Sequence, residues 1–352
     1  MRGRRILVER RADGGAAAAL LIDGRLEDLL VDPPAGDPTP RPEAIHRAVV
    51  GRPMKGVGGV IVDLGGGATG FLRGPKPPAA GSRLLVQVSS WAEARKAPPV
   101  TARLLLKGAF VILTPGAPGA NVARSVAAGA ERERLEALAR RCLEGAAEGL
   151  GIILRTLAAT AEPEAVAAEA AALRGRWERL EGEAAAGAPG LLAEAPDAGA
   201  VAWRDWRVRA DEPVEDAPGA LAEAGVWEAA AALDDPRVAL PGGGAMTVEA
   251  TRALVAVDVD TGGDLSPAAG LKATLAAMRE LPRQLRLRGL GGQVTVDPAP
   301  LGKADRRRVE DALRAALRAD GIETTIAGWT PLGHLELLRK RARRPLTGLP
   351  RG

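Results

Sequence analysis

The stretch ALVAVDVD (253–260) decides the fold. In a strand, residues two apart point to the same face. Val257 and Val259 therefore share one face, and Asp258 and Asp260 project together from the other. Two carboxylates ending an otherwise apolar strand are costly unless they are solvated or bound to a cation. Thr261-Gly262-Gly263 then turns the chain. Ser266-Pro267 supplies a helix N-cap and a first-turn proline, and Leu271, Leu275, Met278 and Leu281 follow at helical spacing over 267–288. GQVTVD (292–297) reads as a second strand ending in an acid, Asp297. If a helix joins two parallel strands, their carboxyl ends coincide, where open α/β sheets place their sites. Asp258, Asp260 and Asp297 meeting there suit a hard divalent cation such as Mg²⁺, which takes oxygen ligands and keeps several waters. Spacing alone equally allows strand-end aspartates that merely start turns.

Outward from that core, RQLRLRGLGG (283–292) places Arg283, Arg286 and Arg288 within about a turn and a half of helix before a glycine stop. Such a cluster can bind phosphates, although a solvated helical face is the commoner arrangement. Pro282, just before it, predicts a kink. A basic helix is expected over 304–319, stopped by Gly321, then a strand and the start of a short helix within 322–338. The tail RKRARRPLTGLPRG is basic and reads as frayed.

Towards the N-terminus, AALLIDGRLEDLLVD holds Asp23-Gly24 between two apolar runs, a hairpin signal. Residues 33–44 are proline-rich and read as a linker. Short apolar runs at 47–50, 57–64, 83–88 and 100–106, separated by Gly/Pro clusters, predict a small β-barrel. GGGATG (65–70) satisfies G-x-G-x-x-G but is followed by Phe71-Leu72-Arg73-Gly74-Pro75, which opens no helix, so a dinucleotide site is not expected. A strand at 107–115, an amphipathic helix over 131–148 with Cys142 as a small core residue, a strand at 150–157 and a helix over 163–186 come next. Residues 187–199 read as a loop, and 212–240 carry little pattern. GIILRTL (151–157) ends in Arg155-Thr156, a charged fork plus a hydroxyl that can hold a terminal phosphate.

Composition narrows the chemistry. Among 352 residues there are one Cys, two His, two Phe, six Trp and no Tyr, so a disulfide framework and a Cys-rich zinc site are excluded within the chain. Any catalysis is left to carboxylates, metal ions and Arg/Lys, with His46 and His334 the only imidazoles. The net charge of +4 fits an anionic partner without demanding one. No apolar run approaches the roughly 20 residues of a membrane span, and the N-terminus lacks a signal-peptide core, so a soluble, cytoplasmic protein is expected.

Taken together, these segments resemble the ribonuclease E/G family of bacterial endoribonucleases. ALLIDGRLEDLLVD is similar to the family's opening hairpin, GGVIVDLGGGATGFL to its RNA-binding barrel and GLGIILRT to its 5′-sensor segment. LPGGGAMTVEATRALVAVDVDTG and RQLRLRGLGGQVTVD resemble its catalytic metal region. The resemblance implies an α/β multi-subdomain chain. Its parts would be a split, shortened RNase H-like part (1–35 and 200–239), an inserted OB-type barrel (36–106), a 5′ sensor (107–199), a DNase I-like catalytic part (240–345) and a tail (346–352).

It also implies hydrolysis of single-stranded RNA in processing or decay, leaving a 5′-phosphate and a 3′-hydroxyl, with Mg²⁺ or Mn²⁺ at Asp258, Asp260 and Asp297. Asp260 stands where the family has Asn. Arg155 and Thr156 match the pair that contacts a 5′-monophosphate, and Phe71 and Lys96 match barrel residues that contact RNA. Departures accompany the match: Ile61 replaces a second stacking aromatic, Ser90 a lysine and Pro331 an arginine. With one Cys, the Cys-Pro-x-Cys zinc link between subunits has no counterpart, so no zinc is expected and any homodimer must form without it. An RNA-binding protein of this fold with weak or no catalysis is the alternative.

Overall fold

The computed structural model describes residues 3–54, 56, 58–74, 76, 78–93, 95–184, 186–264 and 266–346. The chain folds into two compact units, one of Met1–Arg4, Ala19–Val31 and Gly219–Gly352, the other of Arg5–Ala18 and Asp32–Pro218. The fold is mixed α/β with several sheets.

In the larger unit, strands Ile45–Met54, Gly59–Gly65, Ala68–Arg73, Pro99–Thr101 and Arg83–Val88 pair in that order. The last pairs back onto the first, closing a five-stranded barrel. Alternation sets the lining: Val60, Val62 and Leu64 are buried in the barrel core with Val50, Leu72, Val86 and Val100, while Asp63 faces out. Gly65, Gly66 and Gly67 all take positive φ in the turn between the second and third strands (86°, 60° and 82°). Here GGGATG is a hairpin turn that L-residues would strain, and a strand follows it.

A sixth strand, Gly190–Ala193, adds to Ile45–Met54 within the segment expected to be a loop. Its Ala/Gly/Pro-rich surroundings hide it, because pairing along the barrel's edge, rather than propensity, holds it extended.

The same unit carries a four-stranded sheet in the order Gly119–Val122, Leu150–Leu154, Val111–Pro115, Leu106–Lys107. Helices Ala130–Cys142 and Pro163–Ala184 share its core: Leu113, Ile152, Leu154, Leu135, Leu138, Cys142 and Val166 pack together. Cys142 is buried, as expected. The first helix stops at Cys142 rather than near 148, and Gly145 takes a left-handed φ of 67° just beyond. Helix Ala198–Asp205 is capped by Asp197, whose side chain accepts the Ala200 N–H at 2.7 Å.

The hairpin between Ala16–Ile22 and Arg25–Val31, whose residues 19–31 fall in the smaller unit, turns at Asp23 (φ 51°) and Gly24 (φ 80°), both left-handed as a type I′ turn requires. The main sheet has six strands: Arg237–Ala239, Ala245–Ala250, Val255–Asp260, Gly292–Asp297, Leu335–Arg339 and Thr324–Trp329. The central pair, Val255–Asp260 with Gly292–Asp297, runs parallel, joined by helix Pro267–Leu287. Gly270 lets this helix approach the loop after Asp297, since a Cβ there would collide with the Pro300 carbonyl. Helix Arg306–Asp320 completes the layer. Val257, Val259, Val294, Val296, Leu335 and Leu337 pack on Met278, Leu281, Val309 and Leu313. The opposite sheet face is open: Asp258, Asp260, Gln293 and Asp297 are exposed.

Two expectations are corrected here. LELLR (335–339) is a strand, not the start of a helix, because Leu335 and Leu337 alternate with outward residues and Gly333 (φ 99°) closes a turn before it. The basic segment that follows is not frayed where it is described: Arg339 is buried and Arg343 bonds Asp28 at 2.7 Å. The tail from 347 onward lies outside the described residues.

Candidate active site

Strand register builds the site. Asp258 is the direct partner of Asp297 across the parallel pair and of Thr247 across the antiparallel one. Val296 pairs with Leu335, so Asp297 falls beside His334, whose Nε2 lies 3.7 Å from Asp297 Oδ1. Thr247, Asp258 and Asp297 thus form one row across three strands, extended by His334 just before a fourth, at the carboxyl ends of the parallel pair. The sequence reading missed Thr247 and His334. Their signal was register, which one strand's sequence does not contain.

Asp260 projects from the same face as Asp258 but is engaged nearby. Its Oδ1 accepts the Gly262 N–H at 2.8 Å, and its Oδ2 lies 3.8 Å from the Arg237 guanidinium. Among the described residues no three His, Cys, Asp or Glu side chains are gathered closely enough to form a metal cage. The donor set still suits Mg²⁺, which is usually held through one or two carboxylates with several waters retained. Asp258 and Asp297 stand side by side, exposed and oxygen-bearing, on a face with room for that water.

The arginine cluster is placed differently from the phosphate-facing arrangement expected of it. Arg286 is buried and bonds Glu27 at 2.6 Å and Asp320, with Asp28 at 3.5 Å. Arg283 donates to the Leu26 carbonyl and to Glu280 at 2.6 Å. Arg288 is also buried, donating to the carbonyls of Leu233 at 2.6 Å and Asp235 at 2.9 Å. Arg283 and Arg286 occupy the helix face that packs on strand Arg25–Val31, so their donors are taken up inside the unit. Leu26 and Glu27 lie more than 250 residues away, a pairing that spacing within the cluster does not reveal.

In the larger unit, Arg155 follows strand Leu150–Leu154 and caps the short 3₁₀ turn that Thr156 begins. Arg155 donates to the Gly108 carbonyl and to Asp205, both at 2.7 Å. The exposed Thr156 hydroxyl lies 2.5 Å from that of Ser125, a partner not anticipated. Arg204 lies between Asp205 and Glu43, with bonds of 2.7 Å to each. Burial alone would push both carboxyls up, but the bonds and charge of Arg204 outweigh it and hold Glu43 and Asp205 below the ordinary carboxylate range.

On the barrel, Phe71 is half-buried and directly opposite Ile61. Its ring lies over Gly59, where a Cβ would come within 2.5 Å of the ring Cζ. Lys96 is exposed and pairs with Glu93 at 2.9 Å, and Ser90 is buried.

The sheet with its exposed acidic row and the closed barrel are the setting in which relatives become informative. The Ribonuclease E/G family model matches residues 105–214 and 211–342, and the chain belongs to this family. It is 31% identical over 297 residues to Ribonuclease E of Nostoc sp., a match covering 74% of this chain and 43% of that relative. With Ribonuclease E of Escherichia coli the identity is 28% over 299 residues, covering 74% of this chain and 28% of the relative. With Ribonuclease G of the same species it is 28% over 305 residues, covering 75% and 60%. The chain therefore spans less than two thirds of the length of these relatives. Among the described residues no helix is long and apolar enough to cross a membrane.

Proposed function

We propose that the chain is a metal-dependent endoribonuclease that hydrolyses single-stranded RNA in processing or decay, leaving a 5′-phosphate and a 3′-hydroxyl. The observation that carries this reading is the pairing of Asp258 with Asp297 at the carboxyl ends of adjacent parallel strands, on an open sheet face, in a member of this family. Mg²⁺ or Mn²⁺, when bound, would supply an activated water and neutralise charge on the phosphate oxygens.

Asp258 and Asp297 provide the oxygen donors, and Asp260 adds a third carboxylate from the same face. His334 lies beside Asp297 on the side away from Asp258, its Nε2 3.7 Å from Asp297 Oδ1. The buried arginines act as positioning residues: they fix helix Pro267–Leu287, and with it the two strands it joins. In this reading the barrel is the OB-type RNA-binding part, the four-stranded sheet with its helices is the 5′ sensor, the six-stranded sheet is the DNase I-like catalytic part, and the hairpin belongs to an RNase H-like part. Phe71 stacks on a base, Lys96 contacts the strand, and Arg155 with Thr156 receives a 5′-phosphate.

The test is cleavage of a 5′-monophosphorylated single-stranded RNA with Mg²⁺ or Mn²⁺. Unchanged cleavage by both Asp258→Asn and Asp297→Asn would show that the activity does not belong to this site. A second reading, RNA binding with little catalysis, is favoured by the engagement of Asp260 with Gly262 and Arg237 and by Ile61 opposite Phe71. Binding without cleavage at any metal concentration would select it.

A further inference from the structure

The chain has eight aromatic residues, six Trp and two Phe. Among the described residues one of them is exposed, Trp203, at 46%. It lies on helix Ala198–Asp205, outside the barrel where the sequence placed base stacking. The guanidinium of Arg207 sits 3.7 Å from the centroid of its ring. That guanidinium is fixed rather than mobile. Arg207 is only 8% exposed, its Nε donates to the Trp203 carbonyl at 2.8 Å, and its Nη1 donates to the Ala210 carbonyl at 2.6 Å. Its Nη2 is buried with no hydrogen-bond partner. One face of the indole is therefore backed by a held cation, and the exposure belongs to the rest of the ring. Burying an arginine with an unmade bond beneath an exposed tryptophan is expensive for stability alone.

The position of the ring adds a second argument. Two residues on, Asp205 bonds Arg155 at 2.7 Å, and the Arg204 carbonyl lies 3.4 Å from the Arg155 Nη1. Further along the chain, the Ala210 N–H donates to Thr160 at 3.0 Å, tying the loop after the helix to the turn that begins with Thr156. The C-terminal end of the helix bearing Trp203 and the loop after it are thus bound to the segment carrying Arg155 and Thr156, all within one unit.

We propose that Trp203, backed by Arg207, is a stacking platform for a nucleobase of single-stranded RNA whose 5′ end lies at Arg155 and Thr156. Every base has a π face, so such a platform grips a strand without selecting its sequence. A ring already held by its cation loses little further freedom on stacking, and the cation adds attraction for the phosphate backbone. The inference rests on the ribonuclease reading and adds a stacking ring outside the barrel, where Phe71 has Ile61 rather than an aromatic opposite it.

The experiment measures binding by fluorescence anisotropy, in EDTA so that no cleavage occurs. The probe is a 5′-monophosphorylated decauridylate, intact or with an abasic nucleotide at each of its first four positions. Trp203→Ala is expected to weaken binding of the intact strand by about tenfold to a hundredfold, with Trp203→Phe retaining most of it. One abasic position should weaken binding by the unaltered chain to a similar degree and cost Trp203→Ala nothing more. Affinity within twofold of the unaltered chain for a folded Trp203→Ala overturns the platform, as does an abasic penalty that Trp203→Ala retains in full at all four positions. Unchanged RNA binding with a change of oligomeric state in light scattering would reassign the ring to a protein interface. No RNA binding by the unaltered chain would overturn the ribonuclease reading together with the platform, whereas binding that ignores Trp203 overturns the platform alone.

Discussion

Two sets of carboxylates in the smaller unit serve opposite ends. Asp28 and Asp320 are buried among arginines: Asp320 receives Arg286 and, at 2.8 Å, the fully buried Arg339, while Asp28 receives Arg343 at 2.7 Å. Asp258 and Asp297 are exposed, and the neighbours that register gives them are each other, Thr247 and His334. A buried carboxylate is tolerated only when its charge and lone pairs are satisfied, so Asp28 and Asp320 have no capacity left for a ligand. An exposed pair of like charges on a sheet face gains nothing in stability and keeps its oxygens for a cation. Residue type is the same in both sets; solvent access separates structure from chemistry.

The sharpest break of that contrast is Asp320→Ala, which strands Arg339 and part of Arg286 without a counter-charge. It is expected to cost about 3–5 kcal/mol in urea unfolding. A loss below about 1 kcal/mol would mean that the arginines find other partners. Asp258→Asn is the converse. Cleavage should fall by more than the roughly 100-fold typical of residues that only support a ligand. Stability should stay within about 0.5 kcal/mol, as at a surface position.

The larger unit repeats the buried pattern at Glu43, Arg204 and Asp205, where pH is the probe. Both carboxyls are held below their ordinary values of 4.5 and 3.8. Their contribution is complete above those values. As pH falls through them towards the lower folded values, the unfolded chain takes up protons that the folded chain does not, and stability declines. The urea midpoint should drop on acidification in this range, and Arg204→Met, already destabilised, should show a flatter decline. The smallest effect belongs to an exposed pair: Arg308→Ala, losing the Asp305 contact at 3.1 Å, should change stability by about 0.5 kcal/mol or less.

Much of this was legible from local pattern. The alternation of VAVDVD and QVTVD, the Ser266-Pro267 start and the Asp23-Gly24 turn each act within a few residues, and the structure has the elements they predict. Four of the five barrel strands were legible for the same reason, from apolar runs between glycine and proline breaks, while Ala68–Arg73 was not among them. What stayed hidden depends on pairing across long separations. The strand Gly190–Ala193 exists through its neighbour Ile45–Met54. Arg283 and Arg286 look solvated in sequence because their partners belong to a strand at the other end of the chain. The role of His334 emerges only when Leu335 is set against Val296. Nothing in the local pattern singles out Trp203, and its exposure is a property of the folded surface.

The arginine–carboxylate network also sets an order of events during synthesis. Asp28 emerges from the ribosome early, yet its bond to Arg343 spans 315 residues, and the bond of Glu27 to Arg286 spans 259. The larger unit's barrel and four-stranded sheet lie between these ends in the chain and can fold first. The hairpin must meanwhile wait with its acids unpaired until Arg286 and Arg343 have been made. The acidic row at Asp258 and Asp297 therefore gains its fixed support only when the chain is nearly finished, so a nascent fragment folds its barrel before the candidate site is firmly held.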